Sequence, residues 1–336
     1  MKKIYNITIL WGTNGFWKWL WEYIKKEFTE LVDIKSIGSK DDNTEAVKDA
    51  DIVIYSTPIS KTQQVIEETL PYLKPWTVVA DVTSIKKFPS AAMQRRDDII
   101  VIPTHPMFGP YISSIAGQVF VLTPDESVKE TWAYKFLLTF LKKQKAKVIE
   151  STPEYHDKMM AVVQWLTHLN MFVVGETMKR LGFNIADSMD FISPVYKLMV
   201  SSVGRYLWQN PWLYADIQMY NDEVLGVHEA FLDTANNFHN SVKNKDYEKF
   251  CWDVVAAREF LWVDSCQQWQ EYTDKVIYML GAQIDILKSS VWKNISLKNI
   301  YSWEIHVGIL TEYKDGNIFL SDGKIYKIDQ YEIIKN

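Results

Sequence analysis

The chain contains little glycine and cysteine, and no long apolar run. Glycine supplies 13 of 336 residues, about 4% against an average near 7%. Two cysteines, Cys251 and Cys266, are too few for a disulfide scaffold or a zinc cluster and favour a reducing compartment. No apolar run reaches the roughly 20 residues that span a bilayer, and the opening residues lack a small-residue cleavage site. We therefore expect a cytoplasmic protein with no membrane partner.

An excess of basic charge is also missing. The formal net charge is -5 and the isoelectric point is about 5.8, so the chain offers no positive field for a phosphate backbone. Nucleic acid is therefore not an expected partner. The 336 residues, 47% of them hydrophobic, can bury a large core and favour more than one domain. The same composition excludes a disordered or fibrous protein.

Short β-branched strands alternate with helical patterns over residues 1–150, which predicts a parallel sheet covered by helices on both faces. The predicted strands are Ile4–Leu10, Val32–Ile37, Ile52–Ser56, Thr77–Asp81 and Ile99–Ile102. Val119–Thr123 and Ala146–Ile149 are expected to extend this sheet, with a helix over Ser127–Lys143 between them.

The pattern changes near residue 151. Long helical periods such as Tyr155–Leu181 and Tyr247–Ile286 predict an all-α domain over residues 151–290. Residues 291–336 contain two Asp-Gly hairpin signals, Asp315-Gly316 and Asp322-Gly323. They predict a small β meander at the C-terminal end.

The turn after the first strand resembles a dinucleotide-binding turn. It runs Gly12-Thr13-Asn14-Gly15-Phe16-Trp17 and leads into a helix. The glycines of a G-x-G-x-x-G turn let the backbone approach a pyrophosphate. Here Asn14 and Trp17 occupy the second and third glycine positions. An ordinary strand-turn-helix is the alternative to a nucleotide site.

Further candidate cofactor residues follow the other strands. Thr57, Pro58 and Thr83 are assigned to the same nucleotide site. The second strand ends in Ser39 and Lys40 rather than the acid expected for a ribose. That pair would accept a 2′-phosphate or would form a solvated loop, so the sequence leaves NAD and NADP both open.

One histidine lies where ligands of open α/β sheets bind. His105 follows the fifth strand in a loop held by three prolines and a glycine, and a rigidly held imidazole is a candidate general base. Ser84 and Thr83 follow the fourth strand and can face the same crevice.

Six segments, in order and with matching spacing, resemble the prephenate dehydrogenase (TyrA-type) family over roughly residues 4–285. The segments are Asp81-Val82-Thr83-Ser84-Ile85-Lys86, His105-Pro106-Met107-Phe108-Gly109-Pro110, His156-Asp157-Lys158-Met159-Met160, Ser193-Pro194-Val195-Tyr196-Lys197, Val203-Gly204-Arg205 and Leu213-Tyr214-Ala215-Asp216-Ile217.

The resemblance implies a Rossmann domain that binds NAD or NADP, an all-α dimerisation domain and therefore a homodimer. It implies oxidative decarboxylation of prephenate or arogenate in tyrosine biosynthesis. His105 then matches the family's base and Ser84 the serine beside it. Arg205 matches the arginine that binds a substrate carboxylate, a role suited to its two-pronged donor, while His168 and Lys197 match positions lining the substrate pocket.

Several alternatives stay open. No metal site is expected, and His156, beside Asp157, has a helix cap as its second interpretation. Tyr214 and Asp216 are assigned to packing and helix capping. The tail is too short for the ACT regulatory domain that the family often carries, so feedback by tyrosine through such a domain is not expected. A related two-domain hydroxyacid-type dehydrogenase, or a degenerate Rossmann protein retained for binding or assembly, are the other readings of the chain.

Tryptophan stands where the family has glycine or another small residue. Trp11, Trp17 and Trp76 replace expected glycines, and Trp165 replaces another small residue. Glycine and tryptophan together make up 27 of 336 residues, about 8%, near the ordinary share of the two. One hypothesis is that some of these codons are read as glycine in the source organism. If the tryptophans are real, weak cofactor binding follows.

Overall fold

The computed structural model describes residues 5–13, 15–27, 32–109, 112, 114–188, 191, 193–299, 304–314 and 316–334. Its helices are α1 (Gly15–Glu27), α2 (Asn43–Val47), α3 (Ile59–Thr69), α4 (Lys87–Met93), α5 (Glu126–Lys129), α6 (Trp132–Lys143), α7 (Pro153–Met160), α8 (Thr167–Arg180), α9 (Ile185–Ser188), α10 (Pro194–Trp208), α11 (Pro211–Met219), α12 (Val224–Asn244), α13 (Tyr247–Phe260) and α14 (Val263–Ser289). Its strands are β1 (Tyr5–Leu10), β2 (Val32–Ile37), β3 (Ile52–Tyr55), β4 (Val78–Asp81), β5 (Ile100–Val101), β6 (Thr104–Pro106), β7 (Val119–Leu122), β8 (Lys147–Glu150), β9 (Asn294–Asn299), β10 (Ile305–Lys314), β11 (Asn317–Leu320), β12 (Ile325–Lys327) and β13 (Tyr331–Ile334).

The predicted parallel sheet is confirmed. Its order is β2-β1-β3-β4-β5, and every neighbouring pair is parallel. Because side chains alternate along a strand, the two faces carry separate apolar layers. Val53, Tyr55 and Val79 belong to one layer, which also contains Val65 and Ile66 of α3. The sheet is therefore covered by helices on both faces, since Val78 and Ile100 pack with α6 on the other side.

The prediction that two further strands extend this sheet is wrong. β7 and β8 instead form a separate three-stranded sheet with β6, in which β6 and β7 are antiparallel. Pro103 lies between β5 and β6, and proline cannot donate to a ladder, so the chain leaves the first sheet there. The predicted helix over Ser127–Lys143 is also two helices, because the Thr131 hydroxyl accepts the Tyr134 N–H and starts α6 afresh.

The helical region follows, as predicted. α7 continues through a π-helical turn, Ala161–Leu166, into α8. The period expected over Tyr247–Ile286 is broken between α13 and α14 at Trp262, whose φ is 62°. No helix in the described part of the chain is long and apolar enough to cross a membrane.

The C-terminal residues form the predicted small antiparallel module. Its sheet order is β12-β11-β10-β9-β13, so a meander is completed by β13, which pairs with β9 at the far edge. Leu297, Leu310 and Ile318 are fully buried in its core together with Leu287 of α14. Gly316 and Gly323 have φ of 76° and 77°, as their turns require, while Asp315 lies outside the described residues.

The described residues divide into two compact units. One contains Met1–Ile185 with Ser201–Leu232, and the other contains Ala186–Val200 with Asp233–Asn336. The domain limits inferred from the sequence, at residues 150 and 290, stay predictions.

Candidate active site

The crevice for a nucleotide lies at the carboxyl ends of the parallel strands. The strand order is β2-β1-β3-β4-β5, so the chain adds strands on one side of β1 first and then on the other side. The position between β1 and β3 is therefore the topological switch point, where open α/β sheets bind ligands. Gly12 and Thr13 follow β1 at this point, and Thr57 and Pro58 follow β3. The structure therefore brings these candidate cofactor residues to one edge.

Gly12 has no room for a side chain. A Cβ at this position would lie 2.7 Å from Ser36 Oγ and 2.8 Å from Ile9 Cγ2. The carbonyl of Gly12 accepts a hydrogen bond of 3.1 Å from Trp21 Nε1, which ties the turn to α1. Gly15 and Phe16 open α1, whereas Asn14 lies outside the described residues.

The loop after β2 holds an acid that the sequence reasoning missed. Ser39 is exposed, but Asp41 Oδ2 accepts the Gly38 N–H at 2.6 Å. A Cβ on Gly38 would lie 3.8 Å from Thr13 Oγ1, so this loop adjoins the turn after β1. Dinucleotide sites place an acid near here to bind a ribose hydroxyl. From the sequence, Ser39 and Lys40 were considered after this strand, and Asp41 is the next residue.

The loop after β3 is ordered by hydroxyl groups. Thr57 is buried, and its Oγ1 lies 2.9 Å from Thr62 Oγ1. Pro58 is exposed at the start of α3. Ser60, in the first turn of α3, donates from its backbone and its hydroxyl to Asp216 Oδ2 at 3.1 and 2.8 Å. Asp216 thus satisfies a helix N-terminus, which agrees with its assignment as a cap.

The loop after β4 is built around a buried lysine. Lys86 is fully buried, and its ammonium donates to Asp81 Oδ2 and, at 2.7 Å, to Thr104 O. Thr83 donates its N–H to Asp81 Oδ2 at 3.0 Å, and its hydroxyl lies 2.7 Å from Ile85 O. Ser84 follows Thr83 in this loop and is half-buried. The loop therefore holds Thr83 through its hydrogen bonds to Asp81 and Ile85 and leaves part of Ser84 exposed.

His105 is the buried centre of the site. Its Nδ1 lies 2.9 Å from His156 Nε2, and His156 Nδ1 lies 2.7 Å from Asp157 Oδ1. The Asp157 carboxylate also accepts the backbone N–H groups of Lys86 and Lys87 at 2.7 and 2.9 Å. The three side chains form a chain of hydrogen bonds from a carboxylate to the candidate base.

Burial favours the neutral form of both imidazoles. Burial, followed by the electrostatic effects of His156 and Lys86, holds the pKa of His105 well below its usual value. Burial also lowers the pKa of His156, although its bond to Asp157 opposes this shift. Burial likewise lowers the pKa of Lys86, against the attraction of Asp81. A neutral His105 can accept a proton at neutral pH.

His156 does not cap its own helix. Thr152 performs that role, since its hydroxyl accepts the Tyr155 N–H at 3.2 Å. The sequence reasoning left His156 between a cap and a functional residue, and it did not single out Asp157 or Gln164. The His-Asp dipeptide within a matching segment was the signal, but only the fold shows that it meets His105.

A second group of residues surrounds His168 on α8. The ring of His168 lies 4.8 Å from that of Tyr214 and 5.1 Å from that of Tyr206. Burial lowers the pKa of His168 to about 4, and its Nδ1 has no hydrogen-bond partner among the described residues. Gln164, four residues earlier, places its Nε2 3.4 Å from His105 Nε2. Gln164 thus places its amide group beside the candidate base.

The two predicted substrate-binding cations, Arg205 and Lys197, both lie on α10. Burial raises the pKa of Tyr214 to about 12, and the charge of Arg205 opposes the rise. Arg205 is exposed on α10. Lys197 is also exposed on α10, but it falls in the other compact unit, so its place in a substrate pocket stays a prediction.

These observations define a class of protein: one with a parallel Rossmann-type sheet and a buried histidine on the strand that follows it. Comparison with known proteins narrows it. Residues 24–150 match the family described as prephenate dehydrogenase, nucleotide-binding domain. Residues 152–253 match the family described as prephenate dehydrogenase, dimerization domain.

Individual relatives agree. The chain is 39% identical to a probable arogenate/prephenate dehydrogenase of Methanocaldococcus jannaschii, over 96% of this chain and 76% of that protein. It is 35% identical to the T-protein of Haemophilus influenzae, but covers only 52% of its length. A prephenate dehydrogenase from A. aeolicus, solved with hydroxyphenyl propionate and NAD+, has the same fold, with a TM-score of 0.59 over 76% of this chain and 96% of that one at 17% identity. The chain belongs to the prephenate dehydrogenase family.

Proposed function

We propose that this protein oxidatively decarboxylates prephenate or arogenate, with NAD or NADP as acceptor, in the formation of tyrosine or its keto precursor. The observation that carries the proposal is His105, a buried imidazole whose pKa is lowered by burial and which lies on the short strand β6, directly after β5 of the dinucleotide-type sheet. The names of the M. jannaschii and A. aeolicus relatives support the substrate class.

The reaction needs a base that removes the proton from the hydroxyl oxygen of the substrate ring. The substrate ring carries a hydroxyl on a carbon that also bears hydrogen, opposite a quaternary carbon bearing a carboxylate. His105 Nε2 takes the hydroxyl proton while that carbon loses a hydride. The C–C bond to the carboxylate then breaks, carbon dioxide departs, and its electron pair makes the ring aromatic. The proton on His105 returns to the phenolic oxygen, so the net reaction releases no proton.

The other residues bind and orient the substrate. The Ser84 hydroxyl would hydrogen-bond the substrate hydroxyl. Arg205 is suited to a carboxylate, because its planar guanidinium donates two parallel hydrogen bonds. His168 and the rings of Tyr206 and Tyr214 would form an aromatic wall of the substrate pocket. Lys197 is the second proposed cation for the substrate.

The residues at the crevice fit a dinucleotide. Gly12, which cannot carry a Cβ, lets a pyrophosphate approach the backbone, and Thr13, Gly15, Phe16, Thr57, Pro58 and Thr83 complete its proposed surroundings. When bound, the nicotinamide supplies the acceptor for the hydride. Asp41 favours NAD, because its carboxylate would accept from a ribose hydroxyl and repel a 2′-phosphate. Ser39 and Lys40 would be the contacts of an NADP enzyme.

We also infer a homodimer formed through the helical region. Phe260 and Leu261 expose 84% and 50% of their surfaces at the end of α13. Met171 and Phe172 on α8 are half-buried within their own unit. Light scattering at micromolar concentration should give twice the 39.3 kDa chain mass. A monomer at that concentration would contradict the inference.

The function is tested with purified protein, both substrates and both cofactors, by following the absorbance of reduced nicotinamide. His105→Ala should lose roughly 10² to 10⁴ in kcat with little change in KM, whereas Arg205→Ala should mainly raise KM. Asp41→Asn should reduce the preference for NAD over NADP. Absence of turnover in all four combinations by a folded protein would refute the proposal.

A further inference from the structure

The hydrogen-bond chain at His105 fixes where its proton lies. The Asp157 carboxylate can only accept, so His156 Nδ1 must donate to it. Neutral His156 then has a lone pair on Nε2, and His105 Nδ1 must donate to that atom. His105 therefore keeps its lone pair on Nε2, the atom that faces Gln164.

We propose that His156 and Asp157 are positioning residues that hold His105 in the tautomer with a free Nε2. This rests on the proposed function only for its effect on turnover, because the tautomer itself is a property of the free protein. An imidazole without such a partner samples both tautomers and rotates. The charged groups that act on the pair are Lys86, Asp81 and Asp157.

A graded pair of variants separates positioning from packing. His156→Gln keeps an acceptor for His105 Nδ1, whereas His156→Leu fills similar volume without one. We expect kcat to fall by roughly 10²-fold or more in His156→Leu, with KM nearly unchanged, and to recover at least tenfold in His156→Gln. Asn221→Ala is the matched control, because Asn221 donates to the Asp157 carbonyl at 2.8 Å and not to its carboxylate.

A measurement independent of turnover completes the test. Nitrogen NMR of labelled histidine should show His105 protonated on Nδ1 in the wild type and in Asn221→Ala, and a mixture of tautomers in His156→Leu. If folded His156→Leu keeps the wild-type tautomer, the proposal is wrong, whatever the activity. If the tautomer changes but no substrate is turned over, the proposed function fails and the positioning role stands.

A second observation concerns the backbone at tryptophan residues. Within the described ranges, six non-glycine residues have positive φ, and four of them are tryptophans, with φ from 62° to 67°. They are Trp11, Trp76, Trp262 and Trp292. Tryptophan supplies only 14 of the 336 residues, so composition does not explain this share. A bulky residue rarely adopts positive φ, whereas glycine does so without a steric penalty.

The local geometry at each surface position calls for glycine. Thr77 donates its N–H to Lys74 O at 3.2 Å, so Pro75 and Trp76 occupy the two central positions of a turn, and proline followed by a positive φ is the pattern of a type II turn with glycine third. Trp292 holds the same third position in the turn that Lys293 closes on Ser290 at 2.8 Å. Both side chains are 74% exposed, so packing does not hold them there.

The end of α13 provides a direct comparison within the chain. The C-cap of α8 is Leu181, which is followed by Gly182 with φ of 61°. The C-cap of α13 is Leu261, which is followed by Trp262 with φ of 62° and ψ of 120°, outside the small left-handed helical region. Glycine is the residue that most often ends a helix in this way.

Trp11 is unfavourable for a further reason. It follows β1 at the cofactor turn with φ of 63°, and its indole Nε1 is buried without a hydrogen-bond partner among the described residues. Buried indole N–H groups usually have a partner. By contrast, Trp165 is buried and donates to Ile217 O at 3.1 Å, so its surroundings suit tryptophan.

We propose that the protein made in its own organism carries glycine at residues 11, 76, 262 and 292. The codon translated as tryptophan in this sequence would then be decoded as glycine in the organism. The cofactor turn would gain a glycine directly before Gly12. Peptide mass spectrometry of the protein purified from its source cells decides the matter. Peptides lighter by the difference between tryptophan and glycine support the proposal, and tryptophan at residues 76 and 292 overturns it.

The backbone argument has its own test in the chain as written. Trp76→Gly and Trp292→Gly should raise the folding equilibrium constant over Trp76→Ala and Trp292→Ala by roughly 5- to 30-fold at each site. Trp252 is the matched control, because it is 69% exposed but lies inside α13, where alanine should exceed glycine by about fivefold. Equal stability of the glycine and alanine variants at residues 76 and 292 would refute the argument from φ.

Discussion

His168 should make the stability of the protein depend on pH in a defined window. In the folded state, burial lowers the pKa of this imidazole to about 4, whereas an unfolded histidine has a pKa near 6.5. Between about pH 4 and pH 6.5, His168 binds a proton in the unfolded chain but not in the folded chain. The free energy of unfolding therefore falls as the pH is lowered from about 6.5 to about 4, and the stability that neutral His168 allows is fully present above pH 6.5.

The magnitude follows from the two pKa values. Lowering the pH from 7 to 5 should lower the free energy of unfolding by up to about 2 kcal/mol through His168 alone. Solvent screening at the edge of the ring reduces this figure, so we expect about 1–2 kcal/mol. His105 and His156 have pKa shifts in the same direction and add to the total.

The assay is urea unfolding at both pH values without substrate. His168→Phe should reduce the difference between pH 7 and pH 5 by about 1–2 kcal/mol. It should not lower stability at pH 7, because phenylalanine can pack against Tyr206 and Tyr214 and removes an unpaired buried nitrogen. The exposed His239→Gln is the control and should leave the difference unchanged. An unchanged difference in His168→Phe would refute the reasoning.

Two further changes test the framework of the molecule. Lys86→Met leaves Asp81 buried without its cation and should lower the free energy of unfolding by about 3–5 kcal/mol in urea unfolding, while a loss below 1 kcal/mol would show that the pair is not needed. Deleting residues 291–336 uncovers Leu287 on α14 and should lower the thermal midpoint while leaving kcat within severalfold. A large loss of kcat in a deletion variant of normal stability would mean that the tail shapes the active site.

The sequence predicts the elements whose signals are local. β1 to β4 each lie within one residue of the expected limits, because an apolar β-branched run buried in a parallel sheet needs no distant partner to be recognised. The small antiparallel module is equally local, since its turns contain Asp-Gly pairs. The sheet to which β7 belongs cannot be read from local sequence. It is decided where the chain leaves the first sheet at Pro103, and the period of apolar residues carries no information about that tertiary step.

The residues of the candidate site also fall into two groups, those in local motifs and those that only the fold brings together. His105 and Gly12 could be singled out from the sequence, because each lies in a short motif that follows a strand of the parallel sheet, and their roles stay predictions. The partners of His105 could not, since His156 is 51 residues away and Asp157 acts on the backbone of Lys86, 71 residues distant. Asp41 was missed for a smaller reason: the loop after β2 folds back so that its carboxylate reaches Gly38.

Lys86 is a buried charged residue that connects the segments carrying His105 and His156. Its ammonium neutralises Asp81 and binds Thr104, the residue before His105, while its backbone N–H binds Asp157, the residue after His156. One residue thus fixes the strand that carries the base and the helix that carries the base's partner. Apolar residues of the same volume could make this core as stable. They could not donate a side-chain hydrogen bond to Thr104 O, the contact by which Lys86 Nζ holds the residue before His105.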